Sequence, residues 1–319
     1  MRVFGEDTEG LGGSTRLQVT TLTLRNLKVF FRNVNTVAFS MLGAMILIAV
    51  FILFGDSLIV YHQSLYHIHG VHLLSEWVVA GLIGIVSLTA PLGALSVLAK
   101  DKENDTLEDL LVTPVSSIRI ASSYVLSAIV AGTVLTWAAI ILCLSYLLAM
   151  GVAMPNTDML LRLFLFSLFA VVCSSLLMAL IIAFIKTYSL FTYFSLVTNI
   201  MVGLLTGALI PIGAFGSLDF LVKLLPNSYF TMIFRNLLMT GEENVIISGG
   251  TATVEQIKEF NLEFGLDMRI GDLLITRGYP ELGIENNLYI VAMAMILLTL
   301  LLTLLGYLRV RKTRKGMYG

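Results

Sequence analysis

The sequence predicts an all-α membrane protein with six transmembrane helices, and three observations lead to this fold class. Hydrophobic residues make up 57% of the 319 positions and charged residues only 13%, which is about half the share in soluble domains. Six apolar runs reach about 20 residues, the length that crosses the hydrocarbon core of a bilayer. Basic residues lie between these runs in positions that a six-span arrangement brings to one side of the membrane.

The predicted helices follow one another along the chain in a simple order. Residues Leu17–Asn33 mix apolar and basic side chains, a pattern that is typical of an amphipathic helix in the membrane interface. The six predicted spans are Thr36–Phe54, Trp77–Leu98, Ile120–Met150, Met159–Ile185, Leu190–Phe215 and Leu288–Leu308. Pro91 and Gly93 predict a kink in the second span.

The basic residues also predict the orientation of the spans. They precede span one, lie between spans two and three and between spans four and five, and follow span six. The positive-inside rule assigns their side to the cytoplasm, so both termini are expected there. The predicted domains are a cytosolic N-terminal amphipathic segment (1–35), a transmembrane domain (36–308) with a cytosolic helix at 99–119 and an outer segment at 216–287, and a basic cytosolic tail (309–319).

The sequence lacks a nucleotide-binding motif and has few charges within the spans, and these two absences limit the functions that the chain can have. The sequence contains no G-x-x-x-x-G-K-[ST] motif, so we expect that the chain binds neither ATP nor another cofactor itself. Few charges lie within the predicted spans, whereas ion-coupled carriers and charged-ring channels need them. We therefore expect no buried acid within the spans and an energy source outside the chain. An intramembrane enzyme would need a buried nucleophile and base or a metal site, which these spans lack.

A short acidic segment between spans two and three carries the strongest local signal. Lys100–Ser117, KDKENDTLEDLLVTPVSS, predicts an amphipathic helix with a capping box between Asp105 and Glu108 and an end at Pro114. Three apolar positions at helical spacing share one face: Leu107, Leu110 and Leu111. The spacing alone fits two alternatives equally well, a loop helix folded back on its own bundle and a lever moved by a soluble motor.

Two blocks of sequence carry a resemblance to a known family. They are Thr106–Ser116, TLEDLLVTPVS, and Leu225–Phe230, LPNSYF, which is followed by Arg235–Leu238, RNLL. In order and spacing the two blocks resemble the permease subunits of ABC-2-type exporters. Asn104 and Asp105 stand where that family usually has a glycine before the threonine, and the resemblance does not extend to the outer residues 242–286.

The resemblance implies a half-transporter in which two permease chains, identical or sister, assemble with two P-loop ABC ATPase subunits. ATP and Mg²⁺ would bind to the ATPases, whose closure would push Asp105–Thr113 as a coupling helix. Such a complex would reside in the lipid of a bacterial plasma membrane, with no nucleic acid as partner. The residues expected to contact the ATPase are Glu103, Asp105, Leu107, Glu108, Asp109, Leu110 and Leu111.

The outer side receives three further predictions. The resemblance implies short helices at Phe215–Leu225 and Tyr229–Met239 that re-enter the membrane. Residues Thr253–Met268 have apolar positions at helical spacing and are expected to form another helix. The histidines before span two indicate a solvated interfacial loop rather than a metal site, because their spacing does not match helical ligand pairs. They are His62, His67, His69 and His72.

The expected cargo is a hydrophobic or amphiphilic compound, such as a drug, a peptide or a lipid-like molecule. No charge within the spans would neutralise an ionic cargo. Candidate path residues are Phe39, Met45, Leu88, Ser195, Asn199 and Thr206. The alternative function is a sensor or resistance component that detects an extracellular ligand and signals through the same ATPase.

Overall fold

The structure is a computed structural model, and it describes residues 8–46, 48–49, 53, 72–206, 211–213, 219–250, 252–270, 273–291, 293–294, 296–301 and 303. This part of the chain is mostly helical. Its helices are α1 (Thr8–Arg32), α2 (Val34–Ser40), α3 (Leu73–Ala94), α4 (Ser96–Glu103), α5 (Thr106–Leu111), α6 (Ser117–Ala149), α7 (Thr157–Ile182), α8 (Tyr188–Leu205), α9 (Asp219–Leu224), α10 (Pro226–Ser248), α11 (Val254–Phe264) and α12 (Leu288–Leu301). Strands β1 (Met268–Ile270) and β2 (Leu273–Ile275) form an antiparallel hairpin, and Pro280–Leu282 is a 3-10 turn.

Four stretches of the described chain are long and apolar enough to cross a membrane. They are Leu73–Glu103, which joins α3 and α4, and the helices α6, α7 and α8. These four correspond to the predicted spans two to five. Helix α12 lies at the predicted sixth span and is described as far as Leu301, and the first predicted span is described only in part, so the six-span arrangement stays a prediction. The basic tail and the histidines at 62, 67 and 69 lie outside the described residues.

Helix α3 forms the centre of the bundle. It is buried along almost its whole length and packs against α2, α6, α7, α8 and α10. Glycines allow two of these neighbours to approach closely, because a Cβ at Gly84 would overlap Thr231 of α10 and a Cβ at Gly93 would overlap Ser40 of α2. The helix continues past Pro91 and is interrupted at Leu95, directly before α4 begins at Ser96, so the predicted irregularity lies just after the proline.

The amphipathic N-terminal segment is a long helix that packs on the bundle. Helix α1 lies along α6 and also contacts α2 and α4. Asn26 and Phe30 are buried on its inner side, whereas Lys28 and Arg32 are exposed. This two-sided pattern agrees with the predicted amphipathic helix, and it places the inner side of α1 against protein.

The segment between α8 and α12 contains a long helix and a small folded unit. Helix α10 extends well beyond the predicted Tyr229–Met239. Helix α11 begins with a capping box between Thr253 and Gln256 and ends at Gly265, whose φ of +73° is left-handed. It is therefore shorter than predicted, since a left-handed glycine terminates a helix. Its apolar face is buried as the spacing predicts, at Ile257, Phe260 and Phe264.

Candidate functional site

Four consecutive charged residues at the end of α4 connect this helix to four other helices. They are Lys100, Asp101, Lys102 and Glu103, and we call them and their contacts the junction. Because α4 continues the buried helix α3 and leads directly into α5, the junction lies at the base of the predicted coupling helix. It belongs to the end of the bundle that the charge pattern predicts to be cytoplasmic.

Asp101 joins the junction to α1 and α6. Its buried carboxylate accepts two hydrogen bonds from the Arg25 guanidinium, one of them at 3.0 Å, and forms an ion pair with it. The Tyr124 hydroxyl donates to the same carboxylate at 2.5 Å. Hydrogen bonding to Asp101 raises the pKa of Arg25 above its usual value. The charge of Asp101 is thereby satisfied by two helices that lie far from it in sequence.

Lys102 joins the junction to the end of α7. Its Nζ donates to the carbonyl oxygens of Ile182, Ala183 and Ile185 at 2.8, 3.1 and 3.1 Å. The last carbonyls of a helix have no partner within the helix and carry partial negative charge, so a lysine there both satisfies and stabilises them. The contact holds the connection between α7 and α8 against α4.

The two outer members of the run reach the beginning of α8. The Tyr188 backbone N–H donates to Glu103 Oε1 at 3.3 Å, and Lys100 Nζ lies 4.9 Å from the centre of the Tyr188 ring. Thr187 caps the same helix by accepting from the Leu190 N–H. A carboxylate beside a helix N-terminus and a cation over an aromatic ring are both favourable contacts.

The turn after the junction differs from the sequence prediction. Asp105 has a left-handed backbone with φ of +58°, and its side chain makes no capping hydrogen bond to α5. The predicted capping box with Glu108 is therefore wrong. The capping hydrogen bond is absent because a capping side chain needs the extended backbone of a normal N-cap, whereas Asp105 reverses the chain between α4 and α5. Asp105 thus adopts a conformation suited to the glycine that the resembled family usually has in this region.

Replacing Asp105 with glycine is expected to raise the free energy of unfolding by up to about 1 kcal/mol, because the left-handed backbone costs glycine nothing. Replacing it with valine is expected to lower that energy, since a branched side chain fits this conformation poorly. Thermal unfolding of the purified protein measures both changes. Equal melting temperatures for the two variants would contradict the assigned backbone conformation.

Helix α5 presents a packed side and an exposed side. The predicted apolar face is half-buried and packs against the hydrophobic core through Leu107, Leu110 and Leu111. The predicted charged residues Glu108 and Asp109 are exposed, as is Val112 with 86% of its surface accessible. The structure thus places the leucines toward the chain's own bundle and leaves the carboxylates and Val112 on the outward side.

The predicted path residues lie mostly in packed helix contacts. Asn199 accepts from the Gly43 N–H at 3.3 Å and donates to the Ser195 carbonyl at 2.8 Å, which ties α8 to the segment after α2. Leu88 and Thr206 are buried, whereas Met45 is exposed and Phe39 half-buried. The structure brings Ser195 and Asn199 together, whereas the Met45 side chain is exposed on the surface.

The structure buries several acids outside the predicted spans. Glu243 of α10 is fully buried and forms an ion pair with Arg277, and Asp267 is buried beside the Tyr279 hydroxyl. Arg235 is also fully buried; it donates to the carbonyls of Gly265 and Thr206 at 3.3 Å and lies over the Trp77 ring. The sequence analysis did not predict the burial of these charges, because all of them lie outside the predicted spans. Two further buried acids are Asp101 and Glu76.

The packing of α10 against the small unit at residues 252–287 should lose stability as the pH rises. Burial raises the pKa of Glu243 to about 7, against the opposing effect of Arg277. Over a range where the unfolded chain has already lost this proton, the folded acid keeps it, and its contact with Arg277 is then a hydrogen bond to a neutral carboxyl rather than an ion pair. Its contribution is complete below about pH 4.5 and is lost as the pH passes 7, which amounts to about 2 kcal/mol between pH 5 and pH 7.

Trp77 is a suitable reporter for this change, because its Nε1 donates to the Phe264 carbonyl at 2.8 Å. The chain has two tryptophans, so replacing Trp137 with phenylalanine leaves Trp77 as the sole tryptophan signal. Unfolding followed by Trp77 fluorescence should shift with pH, and Glu243→Gln should reduce the shift. A pH response that is the same with and without Glu243 would refute its role.

The comparisons with known proteins complete the description of the site. A family model described as "ABC-2 family transporter protein" matches residues 73–308. The match covers α3 to α12 and includes the whole of the junction, the short helix α5 and the buried charges of the opposite end. No curated protein and no solved structure gives a significant match to the chain.

Proposed function

The chain belongs to the ABC-2 family of transporter proteins, and from this premise we propose that it is the permease subunit of an ATP-driven exporter. Members of this family are membrane components without catalytic activity of their own and typically work with ABC ATPases. In the proposal, α5 receives the movement of separate P-loop ATPase subunits, which bind ATP and Mg²⁺. The chain itself binds no cofactor.

The junction is the observation that carries this proposal. A helix pushed by a motor transmits movement only if its base is fixed to the elements that must move. The base of α5 is held by Asp101 to α1 and α6, by Lys102 to the end of α7, and by Glu103 to the start of α8. A displacement of α5 would therefore act on several helices at once instead of being absorbed by a loose loop.

The packing of α5 supports a division of roles among the predicted coupling residues. Leu107, Leu110 and Leu111 anchor the helix to the bundle, because they pack against its core. Glu108 and Asp109, with the exposed Val112, offer charged and apolar contacts to the ATPase. Glu103 and Asp105 shape the base of the helix through the α8 contact and the left-handed turn.

The remaining parts of the proposal concern topology and cargo. We place both termini in the cytoplasm of a bacterium, with six spans, α9 and the first half of α10 as re-entrant helices, and the unit from 252 to 287 outside. The basic residues at the junction end favour this orientation. Two such chains, identical or sister, would form the pathway for a hydrophobic or amphiphilic cargo along spans one, two and five.

Capture of the ATPase from detergent-solubilised membranes of the native host tests the proposal. We expect an ABC ATPase to co-purify with the wild-type chain and its recovery to fall at least tenfold in the double variant Glu108→Lys, Asp109→Lys. Glu281→Lys is the matched control, because it reverses an equally exposed charge at the opposite end of the molecule. Leu110→Asp should also lose the ATPase, through displacement of α5 from the bundle.

Two outcomes would count against the proposal in different ways. If the double variant still recovered the ATPase in full, the outward side of α5 would not be the surface that contacts the ATPase. If no ATPase co-purifies with the wild-type chain under conditions that preserve its fold, the exporter itself must be abandoned.

The sensor alternative has one observation in its favour, the folded outer unit. Helix α11 and the β1–β2 hairpin are tied to α3 through the Trp77–Phe264 hydrogen bond, so a ligand on this unit could act on the central helix. Reconstituted vesicles distinguish the two functions. ATP-dependent accumulation of a cargo supports an exporter, whereas ligand-stimulated ATP hydrolysis without any transport supports a sensor.

A further inference from the structure

Side chains of α3 and α10 hold the turn that follows α11. The three consecutive backbone carbonyls at residues 264–266 each accept a hydrogen bond from a buried side chain. The donors are Trp77 at 2.8 Å, Arg235 at 3.3 Å and Asn236 at 2.6 Å. The last carbonyls of a helix have no partner within it, so these bonds satisfy the turn and also dock the small unit at residues 252–287 on the bundle.

Three buried carboxyl groups, which we call the acid row, lie next to these contacts. Asp267 directly follows the turn, Glu243 lies on α10, and Glu76 lies beside Trp77 at the start of α3. All three are buried, and each has one oxygen without a hydrogen-bond partner within the described part of the chain. The charge of Asp267 acts on Glu243, and that of Glu243 acts on Glu76. The three acids therefore interact in series.

Arg277 is the cation that contacts the acid row. Its guanidinium bonds to the Glu243 carboxyl and donates to the Thr240 hydroxyl of the same helix at 2.5 Å. Three ionised carboxyls beside this one guanidinium would leave two negative charges uncompensated in the interior, which is costly. Burial accordingly raises the pKa of Glu243 to about 7, against the opposing effect of Arg277. Two bound protons make the row and Arg277 neutral together.

Asp267 is the member of the row whose surroundings best support a negative charge. Burial raises its pKa, whereas a hydrogen bond from the Tyr279 hydroxyl and the charges of Arg277 and Lys258 lower it. These groups approach from the segment after β2 and from α11. The carboxyl of α3 has the opposite surroundings, since Glu242 of α10 adds a further negative charge beside it. Asp267 therefore balances Arg277, and the two protons belong to the other two acids.

We propose that Glu76 and Glu243 form a proton-operated latch, which holds the small unit against α3 and α10 while both are protonated and releases it when both protons pass to the outer solution. Glu243 and Asp267 lie on opposite sides of the contact between α10 and the small unit, so ionisation of both pushes these surfaces apart. The carbonyls at 264–266 then leave their donors, and Trp77 becomes accessible. The acids lie outside the predicted spans, and the latch does not depend on the proposed export function.

Acrylamide quenching of Trp77 fluorescence measures the release, because this side chain is only 3% exposed while the small unit is docked. Trp137→Phe leaves Trp77 as the sole tryptophan of the purified chain in nanodiscs. We expect the quenching constant to rise about threefold between about pH 5.5 and pH 8.5, with the opening equilibrium changing about tenfold per pH unit for each proton released. Far-UV circular dichroism should stay constant, because the helices remain folded.

Glu76→Gln with Glu243→Gln keeps both side-chain shapes and mimics the doubly protonated row. In the Trp137→Phe background this variant should stay protected from acrylamide at about pH 8.5, a gain that a misfolded protein would not show. Glu259→Gln with Glu285→Gln is the matched control, since both acids are exposed on the small unit, and it should open like its parent. Quenching that does not depend on pH, an undiminished response in the first variant, or loss of circular dichroism together with the rise in quenching would overturn the proposal. These measurements use no ATPase, so their outcome is independent of the coupling experiment.

Discussion

Replacing Asp101 with alanine is expected to lower the free energy of unfolding by about 2–4 kcal/mol and to loosen α1 from the bundle. The variant removes the carboxylate that accepts from both Arg25 and Tyr124. The Tyr124 hydroxyl, buried with 2% exposure, loses its acceptor. Arg25 is 36% exposed on its side chain, so water replaces part of its lost ion pair and keeps the total below that of a fully buried pair.

Thermal unfolding and the rate of tryptic cleavage after Lys28 measure the two parts of this prediction. Asp158→Ala is the matched control, since Asp158 also pairs with an arginine, Arg162, but both side chains are largely exposed. We expect no measurable change in the control. A double-mutant cycle with Arg25→Ala should give a coupling energy well above the error of the melting data. Equal effects of Asp101→Ala and Asp158→Ala would show that the junction does not hold α1.

Replacing Gly84 with alanine is expected to cost about 3 kcal/mol, because the added Cβ overlaps the Thr231 side chain at the crossing of α3 and α10. The two helices are held close there by Asn227, whose Nδ2 donates to the Gly84 carbonyl at 2.7 Å. Ser87 donates to the same amide group at 3.1 Å. Relief of the overlap therefore requires these buried hydrogen bonds to lengthen.

The neighbouring helix offers both a rescue and a control for this prediction. Thr231→Ala removes the overlapping hydroxyl and methyl groups and leaves its Cβ 3.1 Å from the new Cβ. The double variant should therefore recover most of the lost stability. Gly241→Ala in α10 adds a Cβ with nothing within 4 Å and should be neutral or slightly stabilising. Stability is measured as the melting temperature and as the yield of monodisperse protein. A harmless Gly84→Ala would contradict the close crossing.

The parts of the fold that sequence predicts well are those with a local cause. Apolar runs of membrane-spanning length identify α3, α6, α7 and α8, because an unbroken run of apolar residues is itself the signal of a membrane-spanning helix. The helix at Val254–Phe264 is marked by its spacing and is stopped by Gly265, whose role is local too. The position of α5 also follows from its own residues, although its true start depends on the backbone of Asp105.

The parts that the sequence does not reveal depend on partners far along the chain. Asp101 and Arg25 are separated by 76 positions, and Glu243 and Arg277 by 34. From the sequence such residues are read as surface charges, because their neighbours along the chain do not indicate that a distant partner will bury them. One usable signal was present for the candidate site, namely four charged residues in a row directly after an apolar span. Its alternating signs are consistent with separate partners for Asp101 and Lys102, whereas Lys100 and Glu103 share Tyr188, and only the fold identifies these partners.

The contacts of the junction can form only in the order in which their residues are synthesised. Arg25 is already available when Asp101 leaves the ribosome, whereas Tyr124, the carbonyls at 182–185 and Tyr188 are made later. Because folding during synthesis proceeds from the N-terminus, we expect the nascent chain to dock α1 first, then α6, and to complete the remaining contacts only after the helix at Thr157–Ile182 has been inserted. The contacts of Lys102 and Glu103 are therefore expected to form last, and they complete the packing of the bundle in this region.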